Sequence, residues 1–197
     1  MFTENLYKTV LIDPVHNGAT QLFVVSGYAS AAFTARHIED ILNISQQVQV
    51  RLLIGMFPQV GNLSINHPAF KRLSTTDFPL RFECRYNTQS PPVHSKVYSW
   101  YRGGKPVQGF VGSANYSNNG FENNQREAVM ASDPAIIHSY FQSLWDYALD
   151  CRENEADRLV TEAIEKYKRQ RAIIIDNVQE LSQHSSPGTE SDYFGLP

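Results

Sequence analysis

HSKVYSW at positions 94–100 and PVQGFV at positions 106–111 decide the fold, because two such runs around a Gly-Gly turn predict a β-hairpin. Alternation along the first strand places the imidazole of His94 and the ammonium of Lys96 on the same face. The return strand leads into Gly112-Ser113-Ala114-Asn115, beside the start of the first strand. The sequence therefore predicts that polar side chains from both strands converge at one spot.

The residue types at this spot suit the cleavage of a phosphodiester. Such chemistry needs a nucleophile or base, an acid for the leaving oxygen, and fixed donors for the non-bridging oxygens. A neutral His94 can attack phosphorus, and Lys96 can hold one oxygen while Ser113 and Asn115 donate hydrogen bonds to others. Glu127 is expected to orient the imidazole and stabilise its growing positive charge, as the acid of a serine-protease triad does. None of these roles demands a metal ion.

The motifs together resemble the HKD signature of the phospholipase D superfamily, in its nuclease branch. The resemblance rests on His94-Ser95-Lys96, on Gly112-Ser113-Ala114-Asn115, and on the strand Arg126-Glu127-Ala128-Val129-Met130 with its glutamate. Together with the small size of the chain, they are most similar to the NgoFVII group of type II restriction endonucleases, which are site-specific deoxyribonucleases. The resemblance implies a phospholipase D-like fold and cleavage of DNA without a metal or other cofactor.

The resemblance also implies a homodimer with a composite active site. In the family the site lies on a two-fold axis, where the histidine of one chain forms a phosphohistidine intermediate and the other chain's histidine protonates the leaving alcohol. Carried over to this chain, His94 plays both parts, once from each protomer. The sequence contains no second His-x-Lys and no second Gly-Ser-x-Asn, so each chain is expected to hold one half-site.

One position departs from the superfamily pattern. The pattern places an aspartate five residues after the lysine, where this chain has Tyr101. We therefore assign the orienting carboxylate to Glu127, because it directly precedes the apolar run 128–131 and is expected at a strand edge. Glu122, in an Asn-rich loop, is the alternative.

Length and charge limit the number of domains and the kind of binding partner that the chain can have. A chain of 197 residues with 42% hydrophobic residues suits one globular domain. A net charge of −3 is unusual for a protein that binds a polyanion, but basic residues cluster in the middle third, which favours a local electropositive cleft. These are Arg72, Arg81, Arg85, Lys96, Arg102, Lys105 and Arg126.

Periodicity along the chain predicts an α/β fold, with a mixed β-sheet flanked by helices. Strands are expected at 22–26, 48–56 and 80–86, in the hairpin, and at Val129. Helices are expected over 31–44, around Phe70, and from Pro134 after a Ser132-Asp133 cap.

Two of the predicted helices have assigned apolar faces. The first helix should carry Phe2, Leu6 and Val10 on one face. The helix from Pro134 should present Ile137, Phe141, Leu144 and Tyr147.

The last helix and the residues beyond it differ in character. Seven residues recur at heptad spacing, and we expect this helix to pack on its own domain rather than across a dimer. They are Val160, Ile164, Tyr167, Arg171, Ile174, Val178 and Leu181. Residues 1–182 are expected to form the nuclease domain, and residues 183–197, rich in Ser, Gly, Pro and acids, a linker or tail. In NgoFVII-like enzymes a C-terminal DNA-recognition domain follows such a segment.

The expected location is the cytoplasm. Cys84 and Cys151 suit reduced thiols better than a disulfide. The sequence shows no secretory leader and no apolar run of about 20 residues, so no membrane partner is expected.

Two other functions stay open at this point. The first is a catalytically silent phospholipase D-like module that only binds nucleic acid. The second is a phospholipid hydrolase, which the lack of a membrane anchor disfavours.

Overall fold

The computed structural model describes the backbone of residues 1–58, 63–122 and 125–184, and the side chains of all of these except 63–64 and 172–184. The described strands are β1 (Gln21–Ser26), β2 (Gln49–Ile54), β3 (Phe82–Tyr86), β4 (Lys96–Arg102), β5 (Lys105–Gly112), β6 (Val129–Ser132) and β7 (Leu149–Asp150). Within the described residues they form one seven-stranded sheet in the order β6-β5-β4-β1-β2-β3-β7. Strands β1, β2 and β3 are parallel, whereas β4, β5, β6 and β7 pair antiparallel with their neighbours.

Helices cover both faces of this sheet. They are α1 (Asp13–His16), α2 (Ala31–Ile44), α3 (Leu63–Arg72), α4 (Asn118–Phe121), α5 (Pro134–Trp145) and α6 (Asn154–His184). A π-helical segment, Tyr7–Ile12, leads into α1, and a second, Leu73–Asp77, follows α3. The α/β architecture predicted from the sequence, a mixed sheet flanked by helices, is confirmed.

Two apolar layers hold the helices to the sheet. The larger layer packs α2, α3 and the N-terminal helices against one face, and the smaller packs α5 against the other. Successive residues of β1 divide between them, since Leu22 and Val24 belong to the larger layer while Phe23 and Val25 belong to the smaller. This alternation is that of a strand buried on both faces.

The strand register brings four strand ends to the same edge of the sheet. Ser26, the last residue of β1, pairs with Lys96, the first residue of β4. Gly112, at the end of β5, pairs with Val129, at the start of β6. The segments that continue from these four positions, including His94 and Asn115, therefore start from one edge. In sheets with parallel strands the carboxyl end is the usual place for a binding site.

The elements nearest this edge were predicted well from the sequence. The hairpin turns at Gly103 and Gly104, which both have positive φ, and α2 spans the predicted residues 31–44. Asp133 caps α5 by accepting a hydrogen bond from the Ala135 N–H at 2.8 Å. These features depend on local turn and capping chemistry, which short stretches of sequence specify.

Three sequence expectations were wrong. Phe2 is not part of the first helix, because its backbone exchanges two hydrogen bonds with Val129 at 2.7 and 2.9 Å. Tyr147 lies beyond α5 and is exposed, and Trp145 packs in the core instead. Leu80, expected to open a strand, has a φ of 65° and is exposed, so β3 begins at Phe82.

Helix α6 is fixed to the domain at its first turns. Val160 is buried and Ile164 packs against the core, while Asp157 contacts His67 and Lys71 of α3 at 3.0 and 2.7 Å. Tyr167 and Arg171 are exposed. The heptad positions Ile174, Val178 and Leu181 lie outside the described side chains. Of the predicted tail 183–197, the first two residues continue α6 and residues 185–197 lie outside the described part of the chain. No helix in the part of the chain that the structure describes has the length and apolarity needed to cross a membrane.

A buried histidine ties α2 to the loop that carries Asn115. His37 is fully buried; its Nδ1 accepts from the Tyr116 hydroxyl (2.5 Å), and its Nε2–H donates to the Leu11 carbonyl (3.2 Å). Both ring nitrogens are therefore satisfied in the neutral form. Burial lowers the pKa of His37 from 6.5 to about 4.

Acid is expected to weaken the fold through His37. The unfolded chain takes up a proton below pH 6.5 and the folded chain only near pH 4, so stability is lost as pH falls through this window. Between pH 7.5 and pH 5, the His37 contribution to the free energy of unfolding should fall by about 2 kcal/mol. Urea unfolding at the two pH values measures this change, and His37→Gln should make the free energy of unfolding less dependent on pH. The exposed His16→Gln should not, and equal slopes for the wild type and His37→Gln would contradict the assignment.

Candidate active site

An open cavity of about 490 Å³ lies at the sheet edge where the four strand ends meet. It is lined by His94, Ser95, Lys96, Val97, Val111, Gly112, Ser113 and Asn115. The structure thus brings together His94, Lys96, Ser113 and Asn115, the residues that the sequence predicted to converge. His94 and Ser95 precede β4, so the imidazole stands at the rim rather than within the ladder.

Lys96 is the buried cation of the cavity. Its side chain is 6% exposed, and Nζ lies 2.9 and 3.1 Å from the two ring nitrogens of His94 and 2.6 Å from the His94 carbonyl oxygen. The lone-pair directions of the two nitrogens diverge, so one ammonium cannot point at both. Burial lowers the pKa of Lys96, and the nearby negative charge of Glu127 opposes that effect.

Asn115 has its amide orientation fixed by the last residue of β1 and the segment that follows it. Its Oδ1 accepts a hydrogen bond from the Tyr28 backbone N–H at 3.1 Å and lies 3.4 Å from the Ser26 hydroxyl. Ser26 also accepts from the Tyr116 N–H at 2.9 Å and donates to the Tyr28 carbonyl at 2.5 Å. The Tyr28 N–H can only face an acceptor, so the amide atom beside it is Oδ1. The two N–H groups of Asn115 Nδ2 therefore point elsewhere and stay available for other acceptors.

Glu127 contacts Ser113, and Glu122 lies elsewhere. The Ser113 hydroxyl donates to the Glu127 carboxylate and accepts from the Ala128 N–H at 3.1 Å. Glu122 instead pairs with Arg36 of α2 at 2.5 Å. Among the described residues the recorded hydrogen bonds of the His94 side chain go to Lys96, so the orienting of His94 by Glu127 stays a prediction.

Two residues beside the imidazole were not assigned to the site from the sequence. The Tyr28 ring stands edge-on to the His94 ring, with centroids 6.0 Å apart, and is partly exposed. Gly27 lies directly against the His94 ring. The signal in the sequence was the end of a buried strand at Ser26-Gly27, a usual border of α/β sites.

The basic residues of the middle third do not gather around the cavity as a group. Arg72 pairs with Asp77 at 2.9 Å. Arg85 stacks on the Trp145 ring and donates to its carbonyl oxygen, and Arg102 donates to the Asn17 carbonyl. Of the seven predicted cations, Lys96 is the one that lines the cavity within the described part of the chain.

Comparison with known proteins gives a family and a fold. The family model of the NgoFVII restriction endonuclease N-terminal PLD domain matches residues 4–158. The solved phospholipase D family member Nuc from Salmonella typhimurium is 17% identical, with a TM-score of 0.52, over 74% of this chain and 91% of Nuc. NucT from Helicobacter pylori is 17% identical, with a TM-score of 0.48, over 76% of this chain and 96% of NucT. A search of curated protein sequences finds no match.

The family match includes all seven strands of the sheet and the start of α6. It covers well over half of the chain and includes every residue that lines the cavity. The likeness to Nuc supports the same fold independently of the sequence motifs. The chain belongs to the family of NgoFVII restriction endonuclease N-terminal PLD domains, a family of phospholipase D-type nuclease domains.

Proposed function

We propose that this domain is a type II site-specific deoxyribonuclease that cleaves DNA without a metal, through a covalent phosphohistidine at a dimeric site. His94 of one protomer attacks phosphorus, and His94 of the partner subunit protonates the leaving oxygen. Lys96 and Asn115 hold the non-bridging oxygens, with Ser113 beside them. Glu127 supplies the negative charge that stabilises the imidazolium, and the enzyme acts in the cytoplasm.

One observation carries the proposal: an accessible imidazole, a buried ammonium and a fixed amide donor face one open cavity. His94 is exposed at the rim, so a phosphodiester can reach its ring. Lys96 and Asn115 line the same cavity and are held by backbone contacts, so they need little rearrangement when charge grows on the phosphate. A displacement at phosphorus needs a nucleophile, a positive charge and a hydrogen-bond donor, and the imidazole, the ammonium and the amide supply them.

Metal independence is supported by the chemistry of the neighbouring groups. The nearest polar neighbour of the His94 ring is the ammonium of Lys96, whose positive charge repels a divalent cation. The Glu127 carboxylate, which is the acidic group here, is engaged by Ser113. Lys96 therefore takes the place that a metal ion has in other phosphodiesterases, as the positive charge beside the phosphate.

Glu127 is supported over Glu122 as the acidic residue. The field of Glu127 reaches Lys96, which in turn touches the His94 ring. Glu122 is held by Arg36, on the side of α2. We therefore assign Glu127 a positioning role that acts through Ser113 and Lys96.

A second copy of the chain is supported by an uncharged apolar surface next to the cavity. Val111 pairs with Met130 across β5 and β6, and both face the α5 side of the sheet, because Gly109 two residues earlier lies against Pro134. Ile136 and Tyr140 lie one helical turn apart on α5, and the Tyr140 hydroxyl contacts Ser95 of the cavity at 2.9 Å.

We call these four residues, Val111, Met130, Ile136 and Tyr140, the Met130 patch. Their exposed fractions range from 37% to 68%, and Val111 also lines the cavity. An exposed patch without charged side chains suits a protein partner better than a phosphate backbone. Two copies that meet through the Met130 patch place their half-sites side by side, as a two-fold interface requires.

We also propose that a DNA-recognition domain follows this one. The family is named for the N-terminal domain of a restriction endonuclease, which supports a further domain beyond it. Residues 183–197 then serve as the linker. A natural open reading frame that stops at Pro197 would contradict this part of the proposal.

His94→Ala is expected to lower the rate of DNA cleavage by about 10⁴-fold or more, because it removes the nucleophile. EDTA should leave the wild-type rate unchanged. Denatured wild-type protein stopped during turnover of phosphate-labelled DNA should carry label, and His94→Ala should not. His16→Ala, which removes another exposed histidine, is the matched control. Cleavage abolished by EDTA, or unaffected by His94→Ala, would refute the mechanism.

Glu127→Gln is expected to lower turnover by roughly 10²-fold, because it removes the charge that stabilises the imidazolium. Glu122→Gln should keep wild-type turnover and cost at most about 1 kcal/mol of stability, since its pair with Arg36 is partly exposed. Single-turnover kinetics and urea unfolding separate the two effects. The reverse ranking of the two variants would assign the role to Glu122.

Met130→Asp is expected to convert a dimer into an inactive monomer, because a charge buried in an apolar interface is costly. Sedimentation and cleavage assays measure the two effects. Ile65→Asp, an exposed apolar residue on α3, is the control and should stay dimeric and active. At constant total protein, replacing wild type by His94→Ala under subunit exchange should make activity fall as the square of the wild-type fraction, because a heterodimer lacks one of the two histidines. An active monomer, or a linear dependence, would rule out the composite site.

A further inference from the structure

The backbone that follows β1 forms the surface on which the His94 ring rests. Ser26 ends the strand, and the next residue, Gly27, faces the imidazole. A Cβ built on Gly27 would lie 2.9 Å from His94 Cδ2, 3.4 Å from Met56 Cγ and 3.5 Å from Asn115 Oδ1. Real Cβ atoms do not approach carbon this closely, so an alanine here requires the ring to move.

The need for glycine at this position comes from the ring and not from the backbone. Gly27 does not have a positive φ, unlike Gly18, Gly103 and Gly104. An alanine therefore fits the backbone conformation of residue 27. What it does not fit is the space taken up by the imidazole.

Other glycines near the site differ in what they touch. A Cβ on Gly55 would lie 2.0 Å from the Val93 carbonyl oxygen, and one on Gly112 would lie 2.2 Å from the Ala128 carbonyl oxygen. These contacts are with backbone atoms of neighbouring segments, so a substitution at Gly55 or Gly112 would push the neighbouring backbone away. At Gly27 the nearest atom belongs to the end of a side chain that can rotate.

We propose that Gly27 is a positioning residue, which sets the plane of the His94 imidazole by letting the ring lie directly on the backbone after β1. Gly27 lies against one side of the His94 ring, and the centroid of the edge-on Tyr28 ring is 6.0 Å from the His94 centroid. Lys96 Nζ lies near both ring nitrogens of His94. The inference rests on the proposed function, because it assumes that His94 is the nucleophile.

The same backbone segment links the nucleophile to a phosphate-binding group. The N–H of Tyr28 donates to Asn115 Oδ1, and that oxygen is also among the three atoms nearest the position of a Gly27 Cβ. Residues 27 and 28 therefore contact both the ring that attacks and the amide that holds the phosphate. A change of one methyl group here alters the distance between them without removing either side chain.

Gly27→Ala should lower kcat by roughly 100-fold, because a displacement of about 1 Å between reacting groups has an effect of this size. KM should change by less than about 3-fold, and the melting temperature by less than about 3 °C. The Cε1–Hε1 signal of His94, assigned by its loss in His94→Ala, should shift in the NMR spectrum of the folded variant. A wild-type kcat with an unshifted signal would overturn the proposal, as would an unfolded Gly27→Ala protein.

Gly103→Ala is the matched control. It adds the same methyl group at the hairpin tip, where no atom lies within 4 Å of the added Cβ. Its positive φ makes the alanine somewhat destabilising, but turnover should equal that of the wild type. A 100-fold loss in Gly103→Ala as well would overturn the proposal, because the effect would then not depend on the ring.

Two outcomes separate this inference from the proposed function. If His94→Ala cleaves DNA like the wild type, the proposed function fails, and Gly27 has no reaction to serve. If His94 is required but Gly27→Ala retains wild-type kcat, the proposed function stands and the role of Gly27 is refuted.

Discussion

The pairing of Ser26 with Lys96 is the constraint on which the site depends. It sets the register between β1 and β4 at the centre of the sheet, and the β4–β5 hairpin then sets Val111 opposite Val97. Side chains alternate along a strand, so a slip of one residue would turn Lys96 toward α5 and bring Val97 into its place. The same register puts Gly27 and Tyr28, which follow β1, against His94.

The ammonium of Lys96 is held in place by its contacts at this edge of the sheet. Taking a charge out of water is costly unless it is paired and hydrogen-bonded. Lys96 is compensated by the His94 carbonyl at 2.6 Å, by the imidazole, and by the field of Glu127. These contacts fix the cation before substrate arrives, and a fixed dipole or charge stabilises a transition state better than one that must reorganise.

The sequence was sufficient for features that short segments specify, and insufficient for contacts between distant segments. The hairpin, α2 and the Asp133 cap follow from turns, periodicity and capping chemistry, and the motif placed His94, Lys96, Ser113 and Asn115 around one cavity.

The contacts that the sequence did not reveal come from packing across the sheet. The bridge between Phe2 and Val129 joins the N-terminal residues to β6, and Gly27 meets His94 only because β1 and β4 are neighbours. The pair between Arg36 and Glu122, which supports the proposed role of Glu127, likewise joins residues that are remote in the sequence. Hydrophobic patterning fixes which elements form, whereas these contacts depend on how the elements are arranged.

In the proposed dimer, the second copy of the chain has an electrostatic role. Among the described residues, Lys96 is the one of the predicted cations that lines the cavity, and its positive charge is opposed by the field of Glu127. The proposed mechanism needs one neutral His94 as nucleophile and one protonated His94 as acid. In a symmetric dimer the two are equivalent until the substrate, with its single leaving oxygen, distinguishes them. The proton on one of the two His94 side chains then places positive charge beside the leaving oxygen, where negative charge grows.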